Sequence, residues 1–228
     1  MADQAYDLIK RAIIRCELEP GQQVTEEQLA LRFGLGRATI RPALKRLYQE
    51  QLVQTITRQR YVVAPITLKA AYELYELRLI LEPAAARRAA GRVDPEQLRR
   101  LDELCQAQYR PGDIESAAAF LQANTEFHIT VARASDNAML AEVVASLLDR
   151  VERLNHLAHM LGDRNREAYH EHRELVEALT VGDGERAEQV MIAQILDARQ
   201  FVINAMLKSD SLRSVNVRGR AAAALTRK

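Results

Sequence analysis

The sequence predicts a mainly α-helical protein: an N-terminal winged helix-turn-helix, then an all-helical antiparallel bundle of about six helices. Three observations lead there. Residues 26–50 hold two short amphipathic helical stripes, Leu29-Ala30-Phe33 and Ile40-Ala43-Leu44-Leu47, separated by the turn Gly34-Leu35-Gly36. Two β-rich runs follow at 52–57 and 61–63. Beyond residue 64 apolar positions recur with helical spacing and no strand pattern is visible.

The elements follow in order. Ala5, Leu8, Ile9, Ala12 and Ile13 give a helix over 3–16, ending before the Pro20-Gly21 turn. Thr25 and Gln28 have capping-box spacing, so a second helix covers 25–33. The third runs to about Glu50 and carries Arg37, Thr39, Arg41, Lys45 and Arg46 away from its apolar stripe. A helix that buries one face and shows a basic, hydrogen-bonding face has the shape required to enter a major groove. Arg58-Gln59-Arg60 reads as the tip of a two-stranded wing, and Ala64-Pro65-Ile66-Thr67 as a linker. The bundle helices are expected at about 68–90, 95–109, 113–134, 137–161, 165–180 and 184–207. The domains are therefore 1–65 for the winged helix, 66–208 for the bundle and 209–228 for a basic, frayed tail.

Charge is distributed unevenly behind the net +1. Residues 1–66 carry about +3, 67–208 about −6 and 209–228 about +4. A nucleic-acid partner would meet the first third. There is no apolar run of about 18 residues, so no membrane span is expected. The two cysteines, Cys16 and Cys105, lie in different domains within apolar patterns. A disulfide framework is not expected, and a reduced cytoplasm is.

The order of motifs resembles the GntR superfamily of bacterial transcription regulators, in its FadR branch with an FCD ligand-sensing domain. LEPGQQVTEEQLALRFGL and GRATIRPALKRLYQEQLV are similar to the family's reading head. YELYELRLILEPAAARRAA, NTEFHITVARASDNAMLAEV and YHEHRELVEALTVGDGERAEQVMIAQI are similar to successive FCD segments. The resemblance spans about residues 5–207. It implies a homodimeric, sequence-specific DNA-binding regulator, read as a repressor. Its affinity for a double-stranded operator would respond to a small carboxylate effector held in the bundle.

For DNA the resemblance implies Arg37 and Arg41; Thr39, Lys45, Arg58 and Arg60 are added from their chemistry. Arginine's planar fork matches guanine O6 and N7, and residues four apart share a helix face. The chain departs from the family at Gly36 (a capping serine), Pro42 (a glutamate) and Arg60 (the wing glycine). Pro42 has no N–H for the Ala38 carbonyl, so a kink is expected there.

In the bundle, the family's metal-ligand positions are occupied by Asn124, His128, His172 and Gln194. The family uses a divalent transition metal there, zinc or nickel. Asn124 and His128 have i, i+4 spacing for two ligands of one ion, with His172 a third, but Gln194 replaces a family histidine and amides are poor ligands for those metals. The alternative is a neutral pocket in which these four groups hydrogen-bond an organic effector. Arg78 corresponds to the family arginine that pairs with an effector carboxylate, with Glu82 at i+4 as a competing partner. Tyr72 and Tyr75 are placed near the same cavity. His156 and His159 read as a solvated pair. No nucleophile elbow, HExxH, phosphate loop or paired-carboxylate frame is present, so no enzyme and no catalytic residue is expected. The other readings kept open are a metal-ion-responsive regulator and a helical-bundle metalloenzyme.

Overall fold

The structure is a computed structural model. It describes residues 2–57, 59–107, 114–161 and 168–208, with side chains left undescribed at Ala2, 105–107, 114–115, 159–161 and 168–171. Arg58, the expected tail and the side chains of Cys105, His159 and His170 therefore lie outside the described residues. The chain divides into two compact units, Met1–Ile66 and Thr67–Lys228.

The first unit comprises α1 (Ala2–Ile14), β1 (Gln23–Thr25), α2 (Glu26–Phe33), α3 (Arg37–Gln49), β2 (Val53–Thr57) and β3 (Arg60–Val63). Ile9 and Ile13 of α1 meet Leu29 of α2, Ile40, Leu44 and Leu47 of α3, and Val63 of β3 in one core. Burying side chains of this size supplies roughly 1.5–3 kcal/mol each. α2 is bounded at both ends by sequence. Thr25 Oγ1 accepts from Gln28 N at 3.1 Å and Gln28 Oε1 accepts from Thr25 N at 2.9 Å. Gly34 closes the helix at φ 64°, and Leu35 N then bonds back to the Ala30 carbonyl at 2.9 Å. α3 starts at Gly36 without a side-chain cap and runs unbroken through Pro42.

Two details differ from the sequence expectation. α1 stops at Ile14, because Cys16 takes a left-handed conformation (φ 57°) and Leu18 N folds back onto the Ala12 carbonyl. The wing is three-stranded, in the order β1-β3-β2, both pairings being antiparallel. β1 has no signature in the sequence, since three residues are too few to display alternation. Arg60 consequently does not sit at a hairpin tip. It opens β3, opposite Thr25 of β1 and Thr57 of β2, beside a register shift between Thr55 and Thr57.

The second unit is a bundle: α4 (Leu68–Ala89), α5 (Pro95–Ala107), α6 (Ile114–Ala134), α7 (Ala138–Leu161), α8 (Ala168–Val181) and α9 (Gly184–Lys208). α4 packs on α6, α7, α8 and α9, most extensively on α9. Its buried face carries Tyr75, Arg78, Glu82 and Pro83 in the middle and the small residues Ala85, Ala86 and Ala89 toward its end, where they allow close approach. The approach is closest at the start of α9, where a Cβ on Gly184 would lie 2.8 Å from the Arg87 carbonyl oxygen. α4 and α7 run antiparallel: Tyr75 Oη donates to Asn155 Oδ1 at 3.1 Å, and Arg88 Nε donates to the Ser135 carbonyl at 3.1 Å. Among the described helices, α9 is long and apolar enough to cross a bilayer by length and composition. Its Ala187, Met191, Ile195 and Val202 are buried in the bundle, where it packs on α4, α7 and α8.

Candidate functional site

Two sites are assembled, one in each unit. In the first, α3 buries Ile40, Ala43, Leu44 and Leu47 and exposes Arg37, Arg41 and Lys45. Thr39 is half-buried and Arg60 exposed. The two arginines four apart both reach back to the first turn of α2, in different ways. Arg37 meets Glu27, and both side chains are solvent-exposed. Arg41 makes a two-point contact, Nε to Glu26 Oε1 and Nη2 to Glu26 Oε2, each 3.0 Å. Here the arginine side chain is 66% exposed and the glutamate only 5%. Tyr61 Oη lies 3.5 Å from Glu26 Oε1. Hydrogen bonding to Glu26, and then its charge, raises the Arg41 pKa above its ordinary value. Arg46 turns away from this face: its guanidinium stacks 3.7 Å over the Tyr6 ring and pairs with Asp3 at 2.8 Å. It serves the α1–α3 packing instead.

In the second unit, four helices contribute to one buried polar chain. Arg78 on α4 pairs with Glu82 one turn later, Nη2 to Oε2 at 3.2 Å with a second contact from Nε to Oε1. Glu82 Oε2 lies 2.8 Å from His128 Nδ1 on α6. The His128 and His172 rings stand 5.8 Å apart, edge to face, and Phe127 stacks on His172 at 4.4 Å. His172 on α8 has its Nδ1 3.6 Å from Asp102 Oδ1 on α5. Arg78, Glu82, Asp102, His128 and His172 are all buried, as is Gln194 on α9. Asn124 sits one turn before His128 on α6, half-buried.

The electrostatics follow from that burial. Desolvation would raise the Glu82 pKa, but the Arg78 charge and then His128 override it and hold the carboxyl at about 2. Burial lowers the His128 pKa; Glu82 opposes this, while Arg78 and His172 add to it. His128 is therefore neutral at pH 7. Arg78 is not free. Its charge is matched by Glu82, which is the i+4 partner that the sequence offered as the competitor to an effector carboxylate.

The donor set does not suit a zinc or nickel ion. Two imidazoles with Asn124 and Gln194 supply no anionic ligand, and among the described residues no three His, Cys, Asp or Glu side chains come together to hold a metal.

Other expected positions move. Tyr75 is fully buried, and its ring faces Arg78 at 5.4 Å, but Tyr72 is exposed and lines no interior site. His156 is buried, with Nε2 3.7 Å from Glu152 Oε1 on the same helix, and is not solvated. Asp102 and Arg153 were missed. Both are buried charges; for Asp102 the available signal was a charged residue on an apolar stripe, since Leu98 precedes it by one turn, whereas Arg153 has Asp149, Arg150 and His156 as one-turn neighbours and carries no such local signal.

Sequence profiles match this architecture in two pieces. The profile for bacterial regulatory proteins of the gntR family covers residues 1–63, and that for the FCD domain covers 73–197. The chain belongs to the GntR family of transcriptional regulators and carries an FCD domain. Among similar proteins is the uncharacterized HTH-type transcriptional regulator YdhC of Bacillus subtilis, 28% identical over 195 residues, which cover 83% of this chain and 85% of YdhC. The HTH-type transcriptional repressor RspR of Escherichia coli is 22% identical over 199 residues, 87% of each chain. The E. coli McbR/YncC structure superposes with a TM-score of 0.77 at 21% identity, over 89% of this chain and 97% of that one, and so shares the fold. The protein is a DNA-binding regulator whose FCD domain is of the ligand-binding type.

Proposed function

We propose that this regulator is a cytoplasmic, homodimeric repressor without enzymatic activity. Arg37, Thr39, Arg41, Lys45, Arg58 and Arg60 would contact the operator, and the buried polar chain of the FCD domain would hold a small organic effector. The observation that carries the reading is an exposed basic helix face in one unit and a buried cluster of imidazole and ion-paired groups in the other. Buried polar groups are costly unless they are matched. A hydrogen-bonding ligand held by Asn124, His128, His172 and Gln194 would give this set a use. A carboxylate effector at Arg78 would meet a guanidinium whose charge Glu82 already matches and would lie beside that second negative charge, so an uncharged or zwitterionic polar molecule fits the set better than a simple acid.

A homodimer is favoured by exposed apolar residues on two neighbouring antiparallel helices, Leu77 and Ile80 of α4 and Met139 and Val143 of α7. A second copy of the chain would cover them, and dimer symmetry would be mirrored in a palindromic operator. The effector would act by preferring one of two states of the dimer, which needs a difference in affinity between them.

The test is a screen of small polar metabolites for release of operator DNA, read by fluorescence anisotropy, on wild type and on Asn124→Ala and His128→Ala. Each variant should lose the response and keep operator affinity; equal loss of both contradicts the assignment. The metal-responsive reading makes the opposite demand: stoichiometric zinc or nickel after purification without chelator, with DNA affinity that follows the ion.

A further inference from the structure

We infer that Glu26 is a positioning residue for DNA reading: its buried carboxylate clamps one edge of the Arg41 guanidinium and leaves the other edge presented to a guanine. The inference rests on the reading of Arg41 as a base-contacting side chain.

A guanidinium carries five N–H donors arranged around a plane. The Glu26 contact takes the Nε edge and one Nη2 hydrogen, with both distances 3.0 Å. The Nη1 edge and the second Nη2 hydrogen remain outward, which is the pair that forks onto guanine O6 and N7. Glu26 is itself held from several sides. It lies in the first turn of a helix that begins at the capped Thr25, where the partial positive charge of the helix end favours a carboxylate. Its side chain is 5% exposed, and Tyr61 Oη stands 3.5 Å away. The clamp is therefore anchored in the domain and does not hang from its surface.

Arg37 and Glu27 show the contrast. That pair has both partners exposed, 61% and 73%, and exposed ion pairs are weak and readily exchanged. Glu27 can release Arg37 to a phosphate or base. Glu26 cannot leave Arg41 without stranding a buried charge. The rotamer freedom of Arg41 is lost before DNA arrives, so less is lost on binding. The Glu26 charge also offsets that of Arg41, so Arg41 should govern which sequence is read more than how steeply affinity depends on salt.

The experiment begins with full-length wild type selecting a duplex from a randomised pool. Each guanine of the selected half-site is then replaced in turn by 7-deazaguanine, which lacks the N7 acceptor. Wild type should lose roughly 10-fold in affinity at the guanine read by Arg41, the position where Arg41→Ala is indifferent. Glu26→Gln should become indifferent at that same position and keep the wild-type response at the others, as a merely structural role would not. A Glu26→Gln protein that keeps the full loss there overturns the proposal. If Arg41→Ala itself shows the wild-type profile throughout, Arg41 reads no base and the underlying reading falls too. A measurement on wild type covers the case in which Glu26→Gln does not fold. The Arg41 Nε–H resonance should show slow exchange and restricted rotation both free and on DNA, and free rotation in the unbound protein overturns the clamp.

Discussion

Glu82→Gln is the substitution with the largest effect that can be worked from this structure. Glu82 is buried and is the counter-charge of the buried Arg78. Its carboxyl is held at about 2 against an ordinary 4.5. A depression of that size corresponds to about 3 kcal/mol of favourable interaction in the folded state. Removing one partner of a buried ion pair independently suggests roughly 3–5 kcal/mol, because the remaining charge is stranded. Since the folded pKa is the lower one, this stabilisation is fully present above the unfolded value and is lost as pH falls toward about 2. Urea unfolding of the full chain, followed by circular dichroism at pH 7, should show Glu82→Gln about 3 kcal/mol less stable, and the gap should narrow between roughly pH 4.5 and 2. The double variant Arg78→Met/Glu82→Leu should recover most of the loss, since an apolar pair strands no charge. A loss below about 1 kcal/mol for Glu82→Gln, or a gap that does not change with pH, would refute the reasoning.

Three further outcomes are expected. Pro42→Ala should stabilise the DNA-binding unit by up to about 3 kcal/mol in thermal melts, because position 42 is exposed and proline forfeits a helix bond in the interior of α3. Gly184→Ala should destabilise the bundle by roughly 1–3 kcal/mol in the same assay, since its Cβ would meet the Arg87 carbonyl oxygen at 2.8 Å and backbone yields poorly. Lys45→Ala should weaken binding to all duplexes alike and reduce the salt slope by about 1, the signature of a phosphate contact on the exposed face of α3.

The elements that sequence made legible are those with long periodic stripes or clear punctuation. Thr25 and Gln28 announced the start of α2, Gly34 its end, and the Gly182-Asp183-Gly184 break the start of α9. β1 was not legible because its identity depends on pairing with Val62 and Tyr61, almost forty residues away along the chain. The reading helix was legible by the same token, since its basic face and apolar stripe lie within thirteen residues. Its most specific feature was not. That Glu26 and not Glu27 clamps Arg41 depends on which of two adjacent carboxylates the α2–α3 packing buries. In the bundle, the partners of His128 and His172 come from α4 and α5, and no local spacing joins Glu82 to His128 or Asp102 to His172. The i+4 competition for Arg78 was visible in the sequence, but its outcome was set by burial: with no solvent around it, the guanidinium keeps the carboxylate that is always one turn away.

The most direct test of the whole account is DNA affinity measured by fluorescence anisotropy over a salt series, for the duplex upstream of the protein's own coding sequence and for a scrambled duplex of the same composition. The account predicts binding to the native duplex about a thousandfold tighter than to the scramble at physiological salt. Equal, weak and steeply salt-dependent binding to both would contradict it, leaving a surface that attracts phosphates but reads no sequence.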